Sequence, residues 1–317
     1  MPRDKPNSAG RNGARLTWAV GANGETTHIS EAENGLRCAC TCPTCGGALV
    51  AKQGKVVEHH FAHASGDECQ HAVETALHLV AKDLLALRKE IVLPAVEIHS
   101  RYTSRRTAIA PERRYFIGSV AVERKLGSII PDVIVQINGR ELLVEVTVTH
   151  GVDRDKLRKI RDLGVSCVEI DLSDGDRGLS REEIETIVID GITHKRWLYN
   201  VRAEEMGRKM LSEATLLPSV HRGLAWHVDE CPIPARTWKQ KPYANVIDDC
   251  SGCDYLLNAS SDVGVICDGF RELGKLRPPQ TLVRRPPPEA FEHPEEEDPM
   301  QAVGRWLDEQ RHVSGSR

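Results

Sequence analysis

Aromatic side chains, surplus positive charge and long apolar runs are all scarce in this chain of 317 residues. Aromatic residues make up 4%, so a core must be built mainly from Val, Leu, Ile and Ala within the 40% of apolar residues. The formal net charge of −4 excludes a broadly basic nucleic-acid binder and confines any nucleic-acid surface to a local patch. No apolar run approaches the ~20 residues of a membrane helix. The polar segment 1–13 does not resemble a signal peptide, so we expect a cytoplasmic protein without membrane contact.

Cysteine, by contrast, is frequent, with ten residues. In a reducing compartment this number indicates metal ligands and buried thiols more than disulfides. Cys42 and Cys45, two residues apart in a Pro- and Gly-containing turn, are typical of a structural zinc site, which needs four ligands. We choose His63 and Cys69 as the other two. The alternatives for these two positions are His60, Cys40 and Cys38.

A second group of metal-binding residue types lies in the C-terminal third of the chain. Its spacing fits a Cys₃His zinc site with the ligands His227, Cys231, Cys250 and Cys253. Cys167 sits in an apolar run and is expected in the core, and Cys267 has no evident partner in the sequence.

Periodicity and turn residues predict a mixed α/β (α+β) fold. The elements of its middle part are a helix (72–89), strands (115–125, 130–137 and 141–150), a basic helix (153–163), a strand (167–172) and helical segments (180–190 and 198–214). The predicted segments are a disordered start (1–15), a hairpin with a zinc-ribbon module (16–70), an α/β domain (71–200), a helical connector (201–225), a second zinc module (226–270) and a Pro- and Glu-rich tail with a short helix (271–317).

A short turn brings two carboxylates face to face. Asn138-Gly139 between two apolar runs favours a two-residue type I′ hairpin loop, which fixes the register of the flanking strands. Asp132 then falls opposite Glu145 on one sheet face, with Cβ atoms about 4.5–5.5 Å apart. Because like charges so placed repel each other, we expect this carboxylate pair (Asp132 and Glu145) to share a divalent cation, Mg²⁺ or Mn²⁺.

Basic groups near the carboxylate pair are needed for phosphate chemistry. Thr147 shares the face of Glu145, at a position where many phosphodiesterases carry a lysine. On the predicted helix, Glu74, His78 and Lys82 form one polar seam, which we place over the carboxylate pair. Lys82 would then supply the missing charge and Glu74 an outer metal ligand or base, with Lys156 as a second candidate lysine. The alternative is that the seam is a solvated helix face.

Two basic stretches offer a local nucleic-acid surface. Arginines bind phosphates and aromatic rings stack on bases, and Tyr102 and Tyr115 lie among these arginines. The candidate contacts are Arg105, Arg106, Arg113, Arg114 and Lys156. The alternative is a solvated loop and helix face.

Several of these strings resemble a known family. Ile130-Pro131-Asp132-Val133 followed by Glu145-Val146-Thr147 resembles the PD-(D/E)XK nuclease motif, with Thr in the Lys position. The run from Cys42-Pro43-Thr44-Cys45 to His60-Phe61-Ala62-His63 is similar to the amino-terminal signature of competence protein CoiA-like proteins. The resemblance implies a restriction-endonuclease-like mixed sheet flanked by helices in 71–200. It also implies a role with DNA, including processing of incoming strands before recombination.

Three functions follow from these expectations. The first is a metal-dependent nuclease acting on DNA. The second is a catalytically inactive nuclease-fold protein that binds nucleic acid or a recombination partner, which Thr147 motivates. The third is a zinc-ribbon adaptor that binds protein.

Overall fold

The computed structural model describes residues 15–67, 69–99, 106–149, 151–173, 178–260 and 264–276. The chain forms two compact units, and each is built from two separate stretches of sequence. The first unit comprises Met1–Ala95 and Pro111–Val201, and the second comprises Val96–Ala110 and Arg202–Arg317. The predicted disorder of 1–14 and the predicted helix of the tail lie outside the described residues.

Five α-helices lie in the described residues: α1 (Ala72–Arg88), α2 (Arg154–Leu163), α3 (Arg181–Glu185), α4 (Val201–Glu213) and α5 (Gly269–Glu272). Strands β1–β10 are Trp18–Val20, Thr26–His28, Leu49–Lys52, His60–His63, Glu90–Leu93, Val96–His99, Arg106–Ala110, Arg113–Phe116, Ser119–Val122 and Val133–Ile137. Strands β11–β20 are Arg140–Thr147, Cys167–Asp171, Lys195–Tyr199, Thr215–Leu217, Ser219–Arg222, Ala225–Asp229, Arg236–Trp238, Lys241–Asn245, Leu256–Ser260 and Gly264–Cys267. Short 3₁₀ or π-helical turns cover Leu36–Cys38, Thr186–Asp190 and Val246–Cys250. No helix in the described residues is long and apolar enough to cross a membrane.

A five-stranded sheet in the order β13-β12-β11-β10-β9 forms the centre of the first unit. The β11–β12 pair is parallel and the other pairs are antiparallel. One sheet face shares a buried cluster with α1, which includes Leu77, Val80, Leu84, Val133 and Val144. The other face shares a buried cluster with α2, which includes Ile134, Leu143, Ile160 and Cys167. The mixed α+β architecture is confirmed. The predicted order of helix, three strands, helix and strand is incomplete, because β5–β8 also lie between α1 and β9.

The hairpin between β10 and β11 has the predicted turn. Asn138 and Gly139 both have positive φ, 51° and 76°, as a type I′ turn requires. Val133 pairs with Val144 and Ile137 with Arg140, which confirms the predicted register. The ladder ends at Val133, so Asp132 lies one residue outside it.

Local sequence signals fix both ends of α2. The side chain of Asp153 accepts a hydrogen bond from the Lys156 N–H at 2.8 Å, which satisfies one free donor of the first turn. Gly164 ends the helix with φ 64°, a conformation that glycine adopts without strain. The predicted helix and its stop at Gly164 are confirmed.

Three smaller sheets complete the first unit, namely β1-β2, β3-β4 and β5-β8. The predicted single strand over 115–125 is instead two strands, β8 and β9, because Arg113–Phe116 pairs with β5 while Ser119–Val122 pairs with β10. The predicted helix over 198–214 is present as α4, except that its first two residues, 198 and 199, belong to the strand β13 (Lys195–Tyr199). The pairing of β13 with β12 overrides local helix propensity, and α4 begins only at Val201.

The second unit is mostly β-structure. It contains the hairpin β6-β7 and the sheets β15-β16-β18-β17 and β14-β20-β19. Its buried cluster includes Leu217, Val228, Ala244, Cys250, Val265 and Cys267. The predicted helical connector over 201–225 is helical only in α4, because β14 and β15 pair with strands later in the chain.

Candidate active site and cysteine cluster

Asp132 lies where the central sheet meets α1. The backbone N–H of Val146 donates to its Oδ2 at 2.8 Å, which anchors the side chain to β11. On the other oxygen, Oδ1, Nδ1 of His78 lies 3.5 Å away and Nζ of Lys82 lies 3.8 Å away. The structure thus brings two residues of the predicted seam to Asp132.

Glu145 is almost fully buried, with 2% of its surface exposed. The ammonium group of Lys156 in α2 donates to its Oε2 at 2.7 Å. Among the described residues no hydrogen-bond partner reaches Oε1. A buried carboxylate oxygen without a donor is costly, and a cation is the partner that such an oxygen accepts without a proton.

The two carboxylates differ in proton affinity. The pKa of Glu145 is raised to about 7, mainly by burial, with the neighbouring Asp132 acting in the same direction and Lys156 against it. Burial acts in the same direction on Asp132, but His78, the Val146 N–H and Lys82 outweigh it and lower the pKa of Asp132. The carboxylate pair therefore has one firmly ionised member and one that titrates near neutral pH, an arrangement frequent at functional sites.

Two residues of the seam, Lys82 and Glu74, also have partners outside the carboxylate pair. Lys82 is buried and donates to Glu123 at 2.7 Å, so it bridges Glu123 and Asp132. Glu74 accepts a hydrogen bond from the Thr149 hydroxyl at 2.8 Å and lies 3.5 Å from His71. The seam therefore lies beside the end of β11. Glu74 is hydrogen-bonded to Thr149, and Lys82 lies 3.8 Å from the Asp132 carboxylate.

Two residues that sequence reasoning missed adjoin the carboxylate pair. Glu169 of β12 is the parallel neighbour of Glu145 and is 1% exposed. The hydroxyl of Thr147 donates to it at 2.7 Å, and Arg196 of β13 forms an ion pair with its other oxygen. The sequence does carry one signal for Glu169, which is a single acid between the apolar residues Val168 and Ile170. Thr147 thus orients Glu169 and does not stand free in the place of a lysine.

The predicted nucleic-acid contacts do not form one cluster within either unit. Arg113 lies 6.0 Å from the ring centre of Tyr115, and both side chains belong to the first unit. Arg114 is paired with Glu90 at 2.9 Å and with Asp190 at 2.5 Å, which offsets its charge. Arg106 belongs to the second unit, Arg105 lies outside the described residues, and Lys156 is paired with Glu145.

The predicted ligands of the first zinc site come together. The ligand atoms of Cys42, Cys45, His63 and Cys69 all lie within 4.8 Å of one another, so this group can hold a metal ion such as zinc. Nε2 of His63 lies 3.3 Å from Sγ of Cys45. A hydrogen bond from the Gly47 backbone, with others from His63 and Cys42, lowers the pKa of Cys45 to about 7, which favours the thiolate that binds metal.

The alternative ligands point elsewhere. Nδ1 of His60 is bonded to the carbonyl oxygen of Glu58 at 2.8 Å. The thiol of Cys40 donates to the carbonyl oxygen of Cys38 at 3.2 Å. The choice of His63 and Cys69 over these residues is therefore the one that the geometry favours.

The second predicted group is only partly assembled. Cys231, Cys250 and Cys253 line one cavity in the second unit. His227 instead packs its ring against Tyr243, with 5.6 Å between ring centres. All ten cysteines are free thiols.

Comparison with known proteins gives one match. Residues 26–72 match the family model described as "Competence protein CoiA, N-terminal domain". This segment contains the four residues of the first metal cluster, and the match supports a CoiA-family protein over these residues. No curated protein and no solved structure matches the chain.

Proposed function

We propose that this protein is a divalent-metal-dependent, nuclease-like protein of the CoiA family that acts on DNA in the cytoplasm. One observation carries the proposal. Asp132 and Glu145 lie close enough to act on each other's charge, and each has basic partners, His78 and Lys82 at Asp132 and Lys156 at Glu145. Paired carboxylates beside ammonium groups match the needs of phosphodiester hydrolysis, which are a metal ion, a water and stabilisation of phosphate charge.

The order of elements supports the nuclease-like fold. Helix α1, strands β9, β10 and β11, helix α2 and strand β12 follow the arrangement that the PD-(D/E)XK resemblance implies. In that arrangement the acids lie at the start of β10 and near the end of β11, as Asp132 and Glu145 do here.

The residues fit Mg²⁺ or Mn²⁺. These hard cations prefer carboxylate oxygens, bind through one or two of them, and keep several waters. Oε1 of Glu145, which is buried without a donor, and the oxygens of Asp132 would hold the ion. When bound, such an ion supplies charge stabilisation to a phosphate and lowers the pKa of a coordinated water.

Lys156 takes the role that Thr147 cannot fill. Its ammonium group lies 2.7 Å from Oε2 of Glu145, although it comes from α2 and not from β11. Its side chain is 28% exposed, so it contacts both the buried acid and the solvent from which a substrate arrives. A flexible lysine so placed can orient a water or neutralise a phosphate oxygen.

The family match supplies the biological context of the proposal. Residues 26–72 match the N-terminal domain of competence protein CoiA, so we place the activity in competence, in the processing of DNA for recombination. A recombination protein would then be a natural partner. The Cys/His cluster within the same segment would hold zinc in a structural role, because four protein ligands leave no open position.

The proposal is tested by cleavage assays on single-stranded, duplex and branched DNA with Mg²⁺ or Mn²⁺. We expect cleavage by the wild-type protein and a loss of about 100-fold or more in Asp132→Asn and Glu145→Gln, since each removes a metal ligand. Lys156→Met should lower turnover while leaving metal binding in place. Asp155→Asn and Lys159→Met are matched controls on α2, because these two residues pair with each other on the surface.

Two results would refute the nuclease proposal. One is the absence of cleavage of every substrate with both metals. The other is cleavage that survives in both carboxylate variants while their folding is intact by circular dichroism. Either result would rule out the proposed nuclease activity without contradicting the fold.

A non-enzymatic role is the second candidate, and one observation favours it. Thr147 is bonded to Glu169, so β11 supplies no lysine to the carboxylate pair. On this alternative the protein binds nucleic acid on an inactive nuclease fold. Binding that needs no divalent metal and persists in Asp132→Asn would support it, provided that it is lost when Arg113 and Arg154, one arginine from each basic stretch, are both changed to Glu.

A further inference from the structure

We propose that the second unit binds a structural zinc ion through four cysteines, Cys231, Cys250, Cys253 and Cys267. The site is independent of the carboxylate chemistry. It differs from the expected Cys₃His group, since Cys267 takes the place of His227.

The four thiols converge from different elements. Cys231 follows β16, Cys250 ends the helical turn after β18, Cys253 follows three residues later, and Cys267 ends β20. All four line one cavity of about 340 Å³. Pairing of β16 with β18, and of β19 with β20, brings these distant stretches of chain together.

The thiols also act on one another. Cys231, Cys253 and Cys267 all lie close enough to the buried Cys250 to act on its charge. All four therefore share one electrostatic neighbourhood. Four cysteines around one cavity supply the ligand set of a structural zinc site. Among the described residues only the first cluster has its ligand atoms within 4.8 Å of one another, so zinc binding here requires thiols such as Cys231 to rotate inward.

Backbone hydrogen bonds to sulfur repeat the pattern of the first cluster. In the first cluster the Gly47 N–H bonds to Cys45, two residues before it. In the second unit the Gly269 N–H donates to Cys267 at 3.4 Å with the same offset. Tight turns that aim N–H groups at sulfur stabilise thiolate charge, as metal binding requires.

Cys253 has the same type of support. The backbone N–H groups of Tyr255 and Leu256 donate hydrogen bonds to the Cys253 sulfur. In the first cluster, Cys42 likewise receives backbone hydrogen bonds from Thr44 and Cys45, which lie two and three positions after it. Each cluster thus has one thiol with two such donors and one with a glycine donor.

Strand alternation excludes His227 from the cavity. Val228 is buried in the same cluster as Cys250 and Cys267, and successive residues of a strand point to opposite faces. His227 therefore points away from the thiols, where it packs against Tyr243.

Close packing holds the Cys231 loop against Cys267. A Cβ added at Gly269 would lie 2.7 Å from Cγ of Pro232 and 3.3 Å from Sγ of Cys267. The thiol of Cys231, next to Pro232, donates to the carbonyl oxygen of Ile233 at 3.1 Å. Metal binding would replace this bond with a sulfur–zinc bond.

Zinc content of the purified full chain, measured by mass spectrometry, tests the proposal. We expect about two zinc ions per chain in the wild type, one for each closed four-ligand site. Cys267→Ser and Cys69→Ser should each lose one ion, from different sites. His227→Asn is the matched control and should keep both ions.

Cobalt substitution keeps the test valid if Cys267→Ser unfolds the second unit. Cys267→His retains a ligand at that position, so it should bind Co²⁺ with an altered sulfur-to-cobalt absorption band, while His227→Asn should leave that band unchanged. One zinc ion in the wild type, lost entirely in Cys69→Ser, would overturn the proposal. So would loss of an ion in His227→Asn with both ions retained in Cys267→Ser.

Discussion

Replacing Glu145 with glutamine should change how the free energy of unfolding depends on pH. Burial raises the pKa of this carboxyl from an ordinary value of 4.5 to about 7 in the folded protein. A raised pKa means that the folded state binds the proton more tightly than the unfolded state. The resulting stabilisation is complete below about pH 4.5 and is lost as the pH rises through about 7.

The size of the effect follows from the two pKa values. Moving a carboxyl pKa from 4.5 to about 7 corresponds to about 3 kcal/mol of unfolding free energy. Glu145 is 2% exposed, so solvent screening removes little of this. Glutamine has nearly the same shape and no proton to lose, and Lys156 is exposed enough to reach solvent without its partner.

Urea unfolding at pH 5 and pH 8 measures the difference. The decrease in unfolding free energy between these pH values should be about 2.5 kcal/mol larger in the wild type than in Glu145→Gln, because part of the full effect lies below pH 5. The buffer should contain no Mg²⁺, and no chelator that would strip zinc from the cysteines. Glu58→Gln, whose side chain is 87% exposed, controls for the loss of a carboxylate. Equal pH dependence in the wild type and Glu145→Gln would show that Glu145 does not titrate in this range and would refute the reasoning.

Two further predictions concern the frame that holds the site. Leu143→Ala, at a fully buried position between the sheet and α2, should lower the unfolding free energy by about 2–5 kcal/mol, whereas Leu87→Ala, at a position 72% exposed, should have little effect. Urea denaturation checks both, and equal losses would contradict the assigned core. Asp153→Ala should cost about 1 kcal/mol through loss of the helix cap on Lys156, with Asp153→Asn retaining most of the stability. A neutral Asp153→Ala would mean that the cap does not stabilise α2.

Features of the first unit that depend on neighbouring residues were predictable from the sequence. The turn at Asn138-Gly139 sets the register of β10 and β11, because two positive φ angles in a row admit few other structures. Asp153 and Gly164 mark both ends of α2 by the same kind of local chemistry. The first metal cluster was found because Cys42 and Cys45 share one turn.

Features that depend on distant pairing were not predictable. Glu169 joins the carboxylate pair only because β12 lies parallel to β11, and Thr147 bonds to it across that pair. Cys267 lines the same cavity as the other three cysteines of the second unit only because β20 pairs with β14 and β19, which are distant from Cys231 in sequence. The conformation of the hairpin turn is determined by its two residues, whereas these contacts depend on how whole strands are arranged.

The interrupted order of the two units constrains how the protein can be made and divided. The chain passes from one unit to the other at Ala95, Ala110 and Val201. The hairpin β6-β7 leaves the ribosome ahead of 111–201, so at about 5–20 residues per second roughly 5–20 s pass before the rest of its unit begins to emerge. A fragment cut at Val201 would carry this hairpin without its partners. Separate production of the first unit therefore requires a short linker in place of 96–110 as well as a new C-terminus.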